Sequence, residues 1–115
     1  MPMLTLTTSG RRSGRPRSVQ LACVEHEGDL LVVASAMGQP RDPAWRHNVE
    51  ASPQVEVQMR GERYEARAEL LSEAEKQAQW AKIRRMIPQM QVYERRTDRN
   101  IRVIRLRRIG TEQPS

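Results

Sequence analysis

The 115-residue chain contains no phenylalanine, a single cysteine and only two lysines, Lys76 and Lys82. Without phenylalanine its core has to be aliphatic, with Trp45, Trp80, Tyr64 and Tyr93 as the only large rings. One cysteine, Cys23, excludes an intramolecular disulfide and fits a reducing, cytoplasmic compartment. It lies in an apolar run and reads as a small buried side chain rather than a nucleophile. No signal peptide opens the chain, and no apolar run approaches the roughly 18 residues of a membrane span, so a soluble protein is expected. His47 has no Cys, His or Asp partners at ligand spacing, which argues against a metal site.

What is present is positive charge. The formal net charge is +6, and all but two of the 20 basic residues are arginine. Guanidinium groups bind phosphate and carboxylate in a bidentate fashion, so the composition favours an anionic partner: a phosphorylated cofactor, a nucleic acid or a membrane surface. A genome rich in arginine codons would produce the same bias. The length suits one domain, residues 1–115, with a modest core that a homodimer would enlarge.

Leu4 to Thr8 alternates as a strand and meets the Gly, Ser and Arg-rich loop Ser9-Gly10-Arg11-Arg12-Ser13-Gly14-Arg15-Pro16-Arg17. Residues 18–25 and 30–35 form a hairpin around Glu27-Gly28-Asp29, the second strand apolar enough to be buried on both faces. Asp42 before Pro43 predicts an N-cap and a short helix over 43–51. Val55, Val57 and Met59, then Tyr64, Ala66, Ala68 and Leu70, alternate with polar residues on either side of Gly61, the clearest hairpin in the chain. Ser72-Glu73-Ala74-Glu75 is a capping box that starts a helix running to about Arg85. A shorter helical piece over 89–96 and a last strand over 101–109 complete an α+β fold: a small β-barrel of about six antiparallel strands with one longer and one or two short helices.

Three stretches carry candidate chemistry: the loop from Leu6 to Arg17, the segment from Val33-Ala34-Ser35 to Asp42-Pro43-Ala44-Trp45-Arg46-His47-Asn48, and Tyr93-Glu94-Arg95-Arg96-Thr97-Asp98-Arg99. Glycines in the first let backbone amides converge on an anion while Arg11, Arg12 and Arg17 fork onto its oxygens; a solvated basic loop is the plain alternative. In this order and spacing the three stretches, over about residues 4–105, resemble the deazaflavin-dependent nitroreductase family, whose members use coenzyme F420 and have a split β-barrel like that of FMN-binding proteins.

The resemblance implies hydride transfer from reduced deazaflavin to a small electron acceptor such as a quinone or nitro compound, the cofactor carrying the difficult step. It implies cofactor contacts from Arg11, Arg12, Ser13, Arg17, Ser18, Val19, Gln20, Val33, Ala34, Ser35, Ala36, Ala44, Trp45, His47 and Asn48. Tyr93 and Ser35 are the candidate catalytic hydroxyls. Each has an ordinary reading beside it: Ser35 as a tight strand end, Trp45, His47 and Asn48 as packed or hydrogen-bonded scaffold, Tyr93 as a core tyrosine.

The sequence departs from the family pattern where its usual Lys after the strand-end serine is Ala36, where the Tyr of PAWYHN is Arg46, and where Ile87 and Met90 replace tyrosines. These changes bear on nitroimidazole-type substrates and keep open, as the alternative, a split barrel that binds FMN or another anionic ligand without redox turnover. The chain starts almost at its first strand, where relatives usually carry a further helix, and a lid or membrane-associating element is expected to be lacking. A basic nucleic-acid-binding domain is the rival class, but neither a stacking platform nor a recognition helix is legible, and no nucleic-acid partner is expected.

Overall fold

The computed structural model describes residues 2–109. Six strands, β1 (Met3–Ser9), β2 (Pro16–His26), β3 (Asp29–Val33), β4 (Gln54–Met59), β5 (Glu62–Leu70) and β6 (Val103–Arg108), close into a barrel in the order β1-β2-β3-β6-β5-β4, every pair antiparallel. Closure leaves no long strand edge exposed. The long β2 serves two neighbours in turn: Pro16 to Ala22 pairs with β1, and from Cys23 onward the strand pairs with β3.

Side-chain alternation divides the apolar residues between two cores. Leu4, Leu6, Cys23, Leu30, Val32, Val55, Val57, Ala66, Ile104 and Leu106 fill the barrel, and the helix α1 (Ala44–Ala51) adds Trp45 and Val49 to them. The outward residues Val24, Leu31, Val33 and Val103 instead meet Trp80 and Ile83 of α2 (Glu73–Met86) and Met90 of α3 (Met90–Arg96). Thus β3 is buried on both faces, as its unbroken apolar run predicts. Burial pushes the Cys23 thiol pKa up, an effect that the nearby Arg60 offsets in part, and the group is an inert core side chain.

The capping box forms with both bonds: Glu75 N donates to Ser72 Oγ and Ser72 N to Glu75 Oε1, each at 3.1 Å. The expected cap of α1 does not. Pro43, not Asp42, occupies the N-cap position and offers no side-chain bond, because the Asp42 carboxylate is held 2.6 Å from Arg99 Nη1 and 3.8 Å from Arg46 Nε. Paired guanidinium groups outcompete a single backbone amide for that charge.

A feature with no sequence signal precedes it. Residues Ala36–Gly38 form one 3-10 turn in which Ala36 and Met37 have φ of 46° and 54°. Left-handed backbone is uncommon outside glycine, and here tertiary contacts impose it. A Cβ on Gly38 would lie 2.6 Å from Arg96 Cβ, so this glycine is what lets the turn pack against α3.

Candidate active site

The β1–β2 loop is a compact turn. Gly10 N donates to Arg15 O and Gly14 N to Gly10 O, both at 2.8 Å, while Ser13 Oγ accepts from Arg15 N at 3.1 Å. Its anchor is Asn48 of α1: Oδ1 accepts from Arg11 N, and Nδ2 donates to the buried Thr8 Oγ1, each at 3.1 Å. Asn48 is therefore the strut between helix and loop. Arg11, Arg12, Arg15 and Arg17 project into solvent, and among the described residues no carboxylate lies within ion-pairing distance of any of them. Most arginines on β5, β6 and α1 have such partners; this loop does not.

Between the loop and α1 lies a cavity of about 510 Å³, walled by Arg11, Arg12, Ser13, Arg17, Ser18, Ala44 and Asn48. Val19, Pro43 and Trp45 border both it and a second cavity of about 510 Å³, whose walls include Gln20, Val33, Ser35, Ala36, Met37, Met90 and Tyr93. The result is a continuous groove, cationic at one end and mainly apolar at the other. Exposed methionines, Met3 and Met37, stand at the apolar end.

Two hydroxyl-bearing residues, Ser35 and Tyr93, line that apolar cavity. Tyr93 is half-buried, and neither its hydroxyl nor Ser35 Oγ has a hydrogen-bond partner among the described residues. A core tyrosine would have its hydroxyl satisfied, so this one is available to a ligand.

Two of the sequence-derived candidates sit apart from the groove. Ala34 is fully buried, its N–H bonded to Arg102 O at 2.9 Å and its carbonyl to Arg99. His47 lines neither cavity and stands 3.5 Å from Arg46 Nη1 through Nδ1. Conversely, sequence reasoning passed over Arg99 and Arg96, which grip the turn at residues 34–39 from the far side. The stretch Tyr93–Arg99 that contains them stands out in the sequence, but without an individual role for either arginine. Among the described residues no cluster of three or more His, Cys, Asp or Glu could hold a metal, and no helix is long and apolar enough to cross a membrane.

Known proteins share this architecture. A solved F420-H2 dependent reductase is 35% identical, covering 91% of this chain and 93% of that one with a TM-score of 0.82; a second structure, described as a domain-swapped dimer, gives the same identity and score over 79% of its length. A haem storage protein of Vibrio cholerae, 19% identical with a TM-score of 0.71, shares the fold alone. An F420H(2)-dependent quinone reductase of Mycobacterium tuberculosis H37Rv is 38% identical over 63 residues, a match that takes in 55% of this chain but only 42% of that relative. Another protein of the same strain, named for the same activity, is 30% identical over 93% of this chain and 90% of its own length. The profile of F420H(2)-dependent quinone reductases matches residues 1–107. By that match, and by its barrel, this chain belongs to the F420H(2)-dependent quinone reductase family.

Proposed function

We propose that this protein is a single-domain reductase that binds coenzyme F420 and directs a hydride from the reduced deazaflavin to a small electrophile, a quinone before a nitro compound. The observation that carries the reading is the groove that joins unpaired guanidinium groups to an apolar cavity bearing two unbonded hydroxyls. Its two ends suit the two ends of such a coenzyme, one bearing phosphodiester and glutamate charge, the other a planar ring.

Arg11, Arg12, Ser13 and Arg17 would hold the acidic end. Ser18, Val19, Gln20, Ala44, Trp45 and Asn48 would line its middle, and Val33, Ser35 and Ala36 would border the ring; Ala34 and His47 act from behind, through backbone and packing. When bound, the reduced coenzyme would supply the hydride. The protein's own part is to orient, to exclude water and to give up a proton, for which Tyr93 and Ser35, both lining the apolar cavity, are the candidate donors. No charged side chain stands at Ala36, which would border the ring, so the apolar wall there favours a flat, weakly polar acceptor.

The pairing into a homodimer and a cytoplasmic setting belong to the same reading, supported by the modest core and the free buried Cys23. Mixing the protein with reduced coenzyme F420 and a soluble quinone should regenerate the oxidised coenzyme at a protein-dependent rate. Failure with both quinone and nitro acceptors would end the enzymatic reading. Competition with FMN tests the identity of the ligand.

A further inference from the structure

We propose that Arg99 is a positioning residue for the reaction, setting the wall of the ring cavity without entering it; the proposal rests on the function above. Arg99 is not among the residues that line the cavity. It stands behind the wall formed by Ser35, Ala36 and Met37, with its side chain 11% exposed.

All three guanidinium nitrogens are engaged. Nη1 donates to Ala34 O at 2.9 Å and to Asp42 Oδ1 at 2.6 Å, Nη2 to Ser35 O at 2.8 Å, and Nε to Gln39 O at 3.2 Å. One side chain thereby ties together the entry to the turn, its exit and the residue that leads into α1. The turn itself has two internal bonds, Gly38 N to Ser35 O at 2.8 Å and Gln39 N to Ala36 O at 3.0 Å. Those bonds hold two successive non-glycine residues in left-handed backbone, an arrangement with an intrinsic cost that outside contacts have to offset.

Arg96 Nη1 adds a weaker hold on Met37 O at 3.3 Å. The consequence is that the places of Ser35 Oγ and the Met37 side chain depend on a planar fork reaching four acceptors. A lysine keeps the charge toward Asp42 but cannot form that fork. Hydride transfer is sensitive to displacements of about 1 Å, so a relaxed wall lowers turnover while the arginine loop, at the other end of the groove, continues to hold the coenzyme.

The test uses the full chain with Arg99→Lys and Arg99→Ala. In Arg99→Lys, kcat with reduced coenzyme F420 and a soluble quinone should fall about tenfold or more while the coenzyme Kd stays at the wild-type value. Amide hydrogen exchange should quicken at residues 35–39 and remain unchanged in the barrel strands. In Arg99→Ala, millimolar ethylguanidinium should restore part of the lost kcat. An Arg99→Lys variant with wild-type kcat, or one whose Kd weakens as much as its kcat falls, overturns the proposal. A wild-type chain that leaves the reduced coenzyme unoxidised overturns the proposed function instead; exchange at residues 35–39, measured without coenzyme, still judges the clamp, and unchanged exchange in Arg99→Lys refutes it.

Discussion

The molecule has two arginine groups beside one groove, one at its cationic end and one behind the wall of its apolar end, and they do different work. Arg11, Arg12, Arg15 and Arg17 hang from a glycine turn in water with no acidic partner among the described residues, whereas Arg99 is nearly buried and donates four hydrogen bonds to its own chain. The chemistry of the side chain is the same. Burial and partners decide whether it waits for a ligand or completes the fold: an unpaired surface guanidinium is cheap to leave in water, and a desolvated one has to be satisfied internally. A high pI by itself therefore says little about how many positive groups are available to bind anything.

Removing free arginines should affect binding and spare the fold. The double variant Arg12→Ala and Arg17→Ala is expected to weaken coenzyme affinity by about 1.5–3 kcal/mol for each charged hydrogen bond lost, with an unchanged urea midpoint. Fluorescence titration at two salt concentrations reads the first, and a wild-type affinity would erase the distinction between the two groups.

The opposite behaviour is expected on the buried side. Gly38→Ala places a Cβ 2.6 Å from Arg96 Cβ and 3.0 Å from Tyr93 O at a φ of 80°, and should destabilise the protein by about 2–4 kcal/mol. Urea denaturation measures that directly.

Tyr93→Phe sharpens the comparison at the groove itself. With its hydroxyl unbonded, its loss should lower turnover by up to about 100-fold, the low end for proton donation, with coenzyme affinity and melting temperature close to wild type. Lost coenzyme binding in this variant would assign Tyr93 to the cofactor side of the ring.

The smallest effect lies outside both groups. Ser72→Ala removes the α2 cap and should cost about 1 kcal/mol of stability by denaturation. Glu75, on the same cap, is held below its ordinary pKa by the Ser72 backbone N–H first and the Ser72 hydroxyl second. Its folded value is thus lower than its unfolded one, so its contribution is present above the ordinary glutamate value and is lost as pH falls through the depressed one. Ser72→Ala keeps the backbone donor and removes only the hydroxyl, so it should make that acid limb of the stability profile shallower in part rather than abolish it.

Elements governed by local rules were legible in the sequence. Alternation over Val55–Met59 and Tyr64–Leu70 announced β4 and β5, the unbroken apolar run a doubly buried β3, and Ser72 with Glu75 the start of α2. The arginine loop was equally open to reading, because glycines and charges in a turn need no distant partner. What escaped depends on contacts far along the chain. Arg99 lies 64 residues from Ser35, whose carbonyl it holds, and Asp42 gave up its expected cap to a partner 57 residues away. Nothing in Ala36-Met37 announces left-handed backbone, since its cause sits in α3 and beyond. Lys76 is a similar case, buried on α2 with its ammonium over the Trp80 ring at 4.9 Å and bonded to Asn100 Oδ1 at 2.7 Å.

The place of β6 has a bearing on how the chain reaches this state. It is the latest of the six strands in the sequence, yet it lies between β3 and β5, pairing Leu31 with Arg105 and Ala68 with Leu106. During synthesis the other five strands emerge first, and until Val103–Arg108 arrives two of them offer unpaired edges, one being the apolar β3. Closure is thus a single late event between residues distant in sequence, which makes folding slow and the nascent sheet adhesive until it happens.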